Sequence, residues 1–164
     1  NGTWSGHTRI YAWDGSSWSQ LGGDLNGEGA YDQSGYSVSL SSDGTVVAIG
    51  ANGNVGNGVN SGHTRIYSWD GTSWSQLGGD IDGEAEHDQS GNSVSLSSDG
   101  TVVAIGASGD STNGTWSGHT RIYAWDGSDW NQIGSDIDGE AASDGQVAAY
   151  PSPRTARWSP LGRL

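Results

Sequence analysis

Ser5-Gly6-His7-Thr8-Arg9-Ile10-Tyr11-Ala12-Trp13-Asp14-Gly15 returns almost letter for letter as Ser61 to Gly71, and again as Ser117 to Gly127. The offset is 56 residues each time, from 5 to 61 and from 61 to 117. Self-similarity at one fixed period of this length marks solenoids, propellers and arrays. Each unit must bury its apolar face against a neighbour. Fold and function are therefore to be read for an array.

Within one unit four short strands can be read. Thr8 to Trp13 alternates polar and apolar residues, Asp14-Gly15 offers the positive-φ positions of a tight hairpin, and Trp18 to Leu21 returns as the partner. A polar, acidic loop follows, Gly22 to Gly35. Ser37 to Ser41 has the period of 2 expected of a strand, Ser42-Asp43-Gly44 is a turn, and Thr45 to Ala51 is an apolar strand. Its continuous run Val46-Val47-Ala48-Ile49 suits a strand buried on both faces. The second unit repeats the pattern at Arg65–Trp69, Trp74–Leu77, Ser93–Ser97 and Thr101–Ala107, and the third begins it at Arg121–Trp125 and Trp130–Ile133. No segment carries a 3.6-residue period with caps, so no helix is expected. Tandem four-stranded antiparallel units of this length predict an all-β fold of the β-propeller type, partial or completed by oligomerisation.

Composition narrows the partners. The 164 residues carry a net charge of −13, with six arginines and no lysine. That argues against nucleic acid and anionic membranes, whose phosphates call for basic residues. It favours cations, Ca²⁺ above all, because hard oxygen ligands are abundant. No run approaches the roughly 18 apolar residues of a spanning helix, so membrane insertion is not expected. Cysteine is absent, which leaves the redox compartment open.

Residues 1–144 form the repeat array, and residues 145–164 depart from it. Three of the six arginines and all three prolines lie in this tail, with no acidic residue. Gly145 to Arg163 can be encoded so that the frame starting on the third base of the first codon reads Ser-Gly-Arg-Ser-Val-Ser-Val-Ser-Ser-Asp-Gly-Thr-Val-Val-Ala-Ile-Gly-Ala. This is nearly Ser90 to Ala107. The tail is therefore expected to be an out-of-frame reading of a further half-unit, after loss of a base near the Asp144 codon. Asn1-Gly2-Thr3-Trp4 recurs as Asn113-Gly114-Thr115-Trp116, so a fragment of a longer protein with more units is expected.

Ser34-Gly35 and Ser90-Gly91 precede a strand, Gly50-Ala51 and Gly106-Ala107 end the next, and Ser-Leu-Ser-Ser-Asp-Gly-Thr-Val-Val-Ala-Ile lies between. With these the chain resembles the FG-GAP repeats of integrin-α-type propellers, nearest their bacterial secreted branch, over residues 1–144. Ser stands for the Phe of the first pair, and Asn52 or Ser108 for the Pro of the second. The resemblance implies a seven-bladed propeller, a secreted or cell-surface location, and adhesion or ligand binding. Ser37–Ser41 would be innermost in its blade and Trp18–Leu21 outermost. The family's usual Ca²⁺ loop lies between its first two strands, where this chain has only Ser42-Asp43-Gly44-Thr45. Two whole blades and two halves cannot close a usual propeller. Open edge strands invite pairing with another chain, so self-association is expected, by oligomeric closure or as a head-to-tail filament.

Candidate ligands recur once per unit. Asp24, Asn26, Glu28 and Asp32 have counterparts in Asp80, Asp82, Glu84 and Asp88, and in Asp136, Asp138, Glu140 and Asp144. Oxygen ligands at alternate positions around a Gly suit Ca²⁺; the competing reading is that these carboxylates accept backbone N–H bonds in turns. Arg9, Arg65 and Arg121 are expected to pair with the same loops. His7, His63 and His119 begin strands and read more readily as structural than as metal ligands. The pairs Trp13/Trp18, Trp69/Trp74 and Trp125/Trp130 flank each hairpin, where cross-strand packing explains them; exposed rings could instead stack on carbohydrate. Asn1 and Asn113 head glycosylation sequons, meaningful if the chain is secreted. No nucleophile–base pair, HExxH or phosphate loop appears, and residues of interest recur in every unit rather than at one place. The expectation is a non-catalytic extracellular repeat protein acting in adhesion or self-assembly. The alternative is a carbohydrate-binding, lectin-like propeller.

Overall fold

The computed structural model describes residues 2–145; Asn1 and the proposed out-of-frame tail from 146 onward lie outside the described residues. The protein is all-β: fourteen short strands form antiparallel sheets, and there is no helix among the described residues. The first unit contributes β1 (His7–Thr8), β2 (Tyr11–Trp13), β3 (Trp18–Gln20) and β4 (Leu25–Asn26). Here β1 pairs with β4 and β2 with β3. Next come β5 (Ser37–Leu40), β6 (Val46–Ala51), β7 (His63–Trp69), β8 (Trp74–Gln76) and β9 (Ile81–Asp82). They form one sheet in the order β5-β6-β7-β8, with β9 also on β7. The same sheet is built again from β10 (Ser90–Leu96), β11 (Val102–Ala107), β12 (His119–Trp125), β13 (Trp130–Gln132) and β14 (Ile137–Asp138). No sheet closes on itself among the described residues.

The registers repeat with the sequence. Ile49 pairs with Arg65 and Ile105 with Arg121, while Trp69 faces Trp74 and Trp125 faces Trp130. β6 shows why its sequence is apolar at consecutive positions. Val47 and Ile49 enter a cluster with Ile10, Leu21 and Leu25 of the first unit, whereas Ala48 enters a second cluster with Ile66, Val103 and Ile105. Successive side chains of a strand point to opposite faces, and here each face meets a different neighbour. Burying one such aliphatic side chain is worth about 1.5–3 kcal/mol, so the clusters join the units and do not merely fill them.

Neighbouring sheets come close enough to exclude a side chain. A Cβ on Gly50 would run into the carbonyl of Gly91 in the next unit, which already accepts the Ser37 hydroxyl at 2.7 Å. The Ser39 hydroxyl likewise accepts the Leu96 N–H at 3.0 Å. The Gly of each Gly-Ala pair and that of the following Ser-Gly pair therefore serve one backbone approach.

Three local expectations are corrected. The acidic stretch Gly22–Gly35 is not wholly loop, nor are its counterparts. β4, β9 and β14 pair with the starts of β1, β7 and β12, because Leu25, Ile81 and Ile137 carry an apolar side chain between polar ones. The hairpin after Trp13 has four loop residues, and only Gly15 takes positive φ, at 101°. Asp14 instead turns the chain with its carboxylate, accepting the N–H groups of Ser16 at 2.7 Å and Ser17 at 2.8 Å. Lastly, the strand read as Thr8–Trp13 is split into β1 and β2, whereas β7 and β12 run unbroken. The first unit has no strand on the other side of it corresponding to β6 or β11.

Candidate functional site at the unit junctions

Arg9, Arg65 and Arg121 occupy corresponding places. Each guanidinium donates to an aspartate of its own unit: Arg9 to Asp24 at 2.9 and 2.8 Å, Arg65 to Asp80 at 3.1 Å, Arg121 to Asp136 at 2.9 and 2.7 Å. Gln20, Gln76 and Gln132 donate to the same three aspartates. Across the junction Arg65 also pairs with Glu28, and Arg121 with Glu84. The hydrogen bonds from Arg9 hold the Asp24 carboxyl down at about 2. Arg121 is pushed down by burial, but Asp136 and Glu84 outweigh this and raise it above its ordinary value.

Beside each ion pair lies an open cleft. At the first junction Glu28, Asp32, Asn54, His63, Asp80 and Asp82 line a space of about 380 Å³. At the second, Asp88, Asp110, Thr112, His87 and Trp116 line about 650 Å³. The acids are not arranged as one chelating loop. Asp32 accepts the N–H groups of Glu28 at 3.1 Å and Gly29 at 2.6 Å, Asp88 that of Ala85 at 2.7 Å, and Asp144 that of Ala141 at 2.8 Å. These are turn roles, held by a backbone in which Tyr31, Gln33, His87, Gln89 and Ser143 all take positive φ. Asn26, Asp82 and Asp138 sit on β4, β9 and β14, and Glu140 is exposed.

Burial raises the Asp88 carboxyl, and the nearby Asp110 adds to the rise. Asp110 itself is raised by burial, but hydrogen bonds from Thr112 and the charge of His119 leave it below its ordinary value. His63 is buried and is pushed down by desolvation, against the pull of Asp80, Asp82 and Asp32. Two groups place one ligand atom each within 4.8 Å of the others: Glu28, His63 and Asp80, and Asp110, His119 and Asp138. Each includes a His nitrogen, which suits a transition ion better than Ca²⁺ with its preference for oxygen. In the first group, both carboxylates are also engaged by Arg65.

No protein-family model matches the chain, and no curated protein matches it.

The tryptophan pairs pack across their hairpins, with ring centroids 5.3, 5.2 and 5.5 Å apart and planes tilted by 51°, 45° and 49°. Trp13 and Trp18 are exposed; Trp69, Trp74 and Trp125 are half-buried, and Trp130 is buried. The indole N–H of Trp74 donates to the Leu21 carbonyl of the unit before, and Trp130 to that of Leu77, both at 2.9 Å. Asn113 lies in an exposed turn; Asn1 lies outside the described residues.

The sequence did not single out Asn54 and Asp110, which lie in stretches taken as Gly/Asn connections. Their signal was the period itself. Asp110 follows Asn54 by the same 56 residues that separate His63 and His119.

Proposed function

We propose that this chain is a non-catalytic extracellular repeat protein acting in adhesion or self-assembly, built from propeller-type blades like those of FG-GAP repeats. The observation that carries the reading is the recurrence of one junction. The same ion pair, indole hydrogen bond and glycine contact join the first unit to the second and the second to the third, or their immediate equivalents. A chemistry-bearing site would break this symmetry; the residues that recur are spent on joining units. A secreted or cell-surface location belongs to the same proposal, as does modification at Asn113. Electron microscopy of the pure protein, together with adhesion of protein-coated beads to cells, tests it. Rings, filaments or retained cells are expected; dispersed single particles with no adhesion would sink it.

The lectin-like alternative draws on the exposed rings of Trp13 and Trp18. Glycan binding lost in both Trp18→Ala and Trp74→Ala would favour it. Ca²⁺ at the acidic loops is a further part of the proposal, supported by the carboxylates that line each cleft. Calorimetric titration with Ca²⁺ tests it, and neither heat nor a rise in melting temperature would remove it.

A further inference from the structure

The two ends of the described array are the two unfilled halves of the junction that joins its units. At one end, Arg9 is exposed and has only Asp24, whereas Arg65 and Arg121 each hold a glutamate of the preceding unit. Trp18, the counterpart of Trp74 and Trp130, is 66% exposed, against 7% for Trp130. At the other end stand the counterparts of the groups those residues touch. Glu140 corresponds to Glu28 and Glu84, and it makes no ion pair among the described residues. Ile133 corresponds to Leu21 and Leu77, whose carbonyls accept the indoles. Ile137 corresponds to Ile81 and is 42% exposed, against 7% for Ile81.

We propose that a second copy of this chain docks its Arg9–Trp18 face on the Ile133–Glu140 face of the first. Arg9 meets Glu140, and the Trp18 indole donates to the Ile133 carbonyl. The inference rests on the self-assembly reading above and names its partner and surface. The contact reproduces the outer part of the internal junction, with the same charges on the same sides and apolar groups between them. The part supplied internally by Val47 and Ile49 has no equivalent in the incoming copy, because the first unit lacks strands corresponding to β5 and β6. A heterologous contact leaves both complementary faces open at the ends, so copies add head to tail.

Charge reversal tests this on the full chain by sedimentation velocity over a dilution series. Wild-type protein is expected to associate with rising concentration. Arg9→Glu alone and Glu140→Arg alone should each remain monomeric, because like charges then face each other. An equimolar mixture of the two should regain association, and so should the double variant. Thermal melts confirm that each variant is folded, and Trp18→Ala, which leaves the charges in place, should also weaken association at least tenfold. Wild-type protein that is monomeric throughout overturns the proposal, and so does association that the single reversals leave intact. If Trp18 binds a glycan in a protein that never self-associates, the surface belongs to that ligand and the proposal fails. Assemblies that persist in both reversals would spare the self-assembly reading and refute only this surface. Adhesion by a strictly monomeric protein would do the same.

Discussion

Arg65 of the second unit pairs with Glu28 of the first while its guanidinium also donates to Asp80 at 3.1 Å. Its side chain is 11% exposed, against 47% for Arg9, which holds only its own aspartate. One arginine therefore fastens a junction and the other caps an open face. Removing a nearly buried cation leaves two carboxylates facing each other, and breaking such a pair costs about 3–5 kcal/mol. Arg65→Ala is expected to lose most of that in denaturant unfolding, and Arg9→Ala to change stability little. Equal losses at the two positions would show that the contact across the junction contributes nothing.

Gly50 tests the close approach of the sheets. A methyl group there has no room against the Gly91 carbonyl, so Gly50→Ala must push two backbones apart. A loss of at least about 3 kcal/mol is expected, the upper range for overpacking a core. Gly79→Ala is the control, since nothing lies within 4 Å of the added carbon and its φ is not positive. It should be nearly neutral by thermal melting.

The indoles offer a finer comparison. Trp74→Phe keeps most of the ring but removes the hydrogen bond to the Leu21 carbonyl. A cost of about 1 kcal/mol is expected, that of one intramolecular hydrogen bond, together with a smaller loss of packing. Trp18→Phe should leave the stability of the isolated chain unchanged, because Trp18 has no such acceptor within it. A Trp18→Phe variant as damaged as Trp74→Phe would mean that the hairpin pair, not the junction, sets the cost.

Much of the fold was legible because the repeat exposes itself. A period of 56 fixed the units, alternation located Ser37–Leu40, and the run Val46–Ile49 announced a strand with two covered faces. What stayed hidden was contact between units. Nothing local in Glu28 says that it reaches Arg65, since the distance is bridged by docking and not by sequence spacing. β9 was missed for a related reason: Ile81 stands alone among polar residues, too short a pattern for periodicity to register. The acidic loops read as possible chelators because composition reveals oxygen atoms and not their partners. The structure places Asp24 and Asp80 on arginines and Asp32 and Asp88 on backbone N–H groups.

Acid should weaken the fold in two stages, with one group acting in the opposite sense. Asp43, Asp70 and Asp126 are each held down at about 2 by hydrogen bonds within their own turns, and Asp24 by Arg9. A carboxyl whose folded value lies below its unfolded one, near ~3.9, stabilises the fold above that value. The contribution is lost as pH falls from about 4 through about 2. His63 acts earlier. Burial lowers its value, so the unfolded chain takes up the proton first, and stability begins to fall as pH drops below about 6.5. Asp88 runs the other way, because burial raises it and its protonation is easier in the folded state. Melting temperature measured from pH 8 to pH 2 should therefore be level above about 7, decline gently near 6, and fall steeply below 4. His63→Gln should remove the first decline and leave the second. Asp88→Asn, which can still accept the Ala85 N–H, should raise the melting temperature at pH 7 and have a smaller effect at pH 3. An unchanged decline near pH 6 in His63→Gln would assign that step to another group and free His63 from the junction's electrostatics.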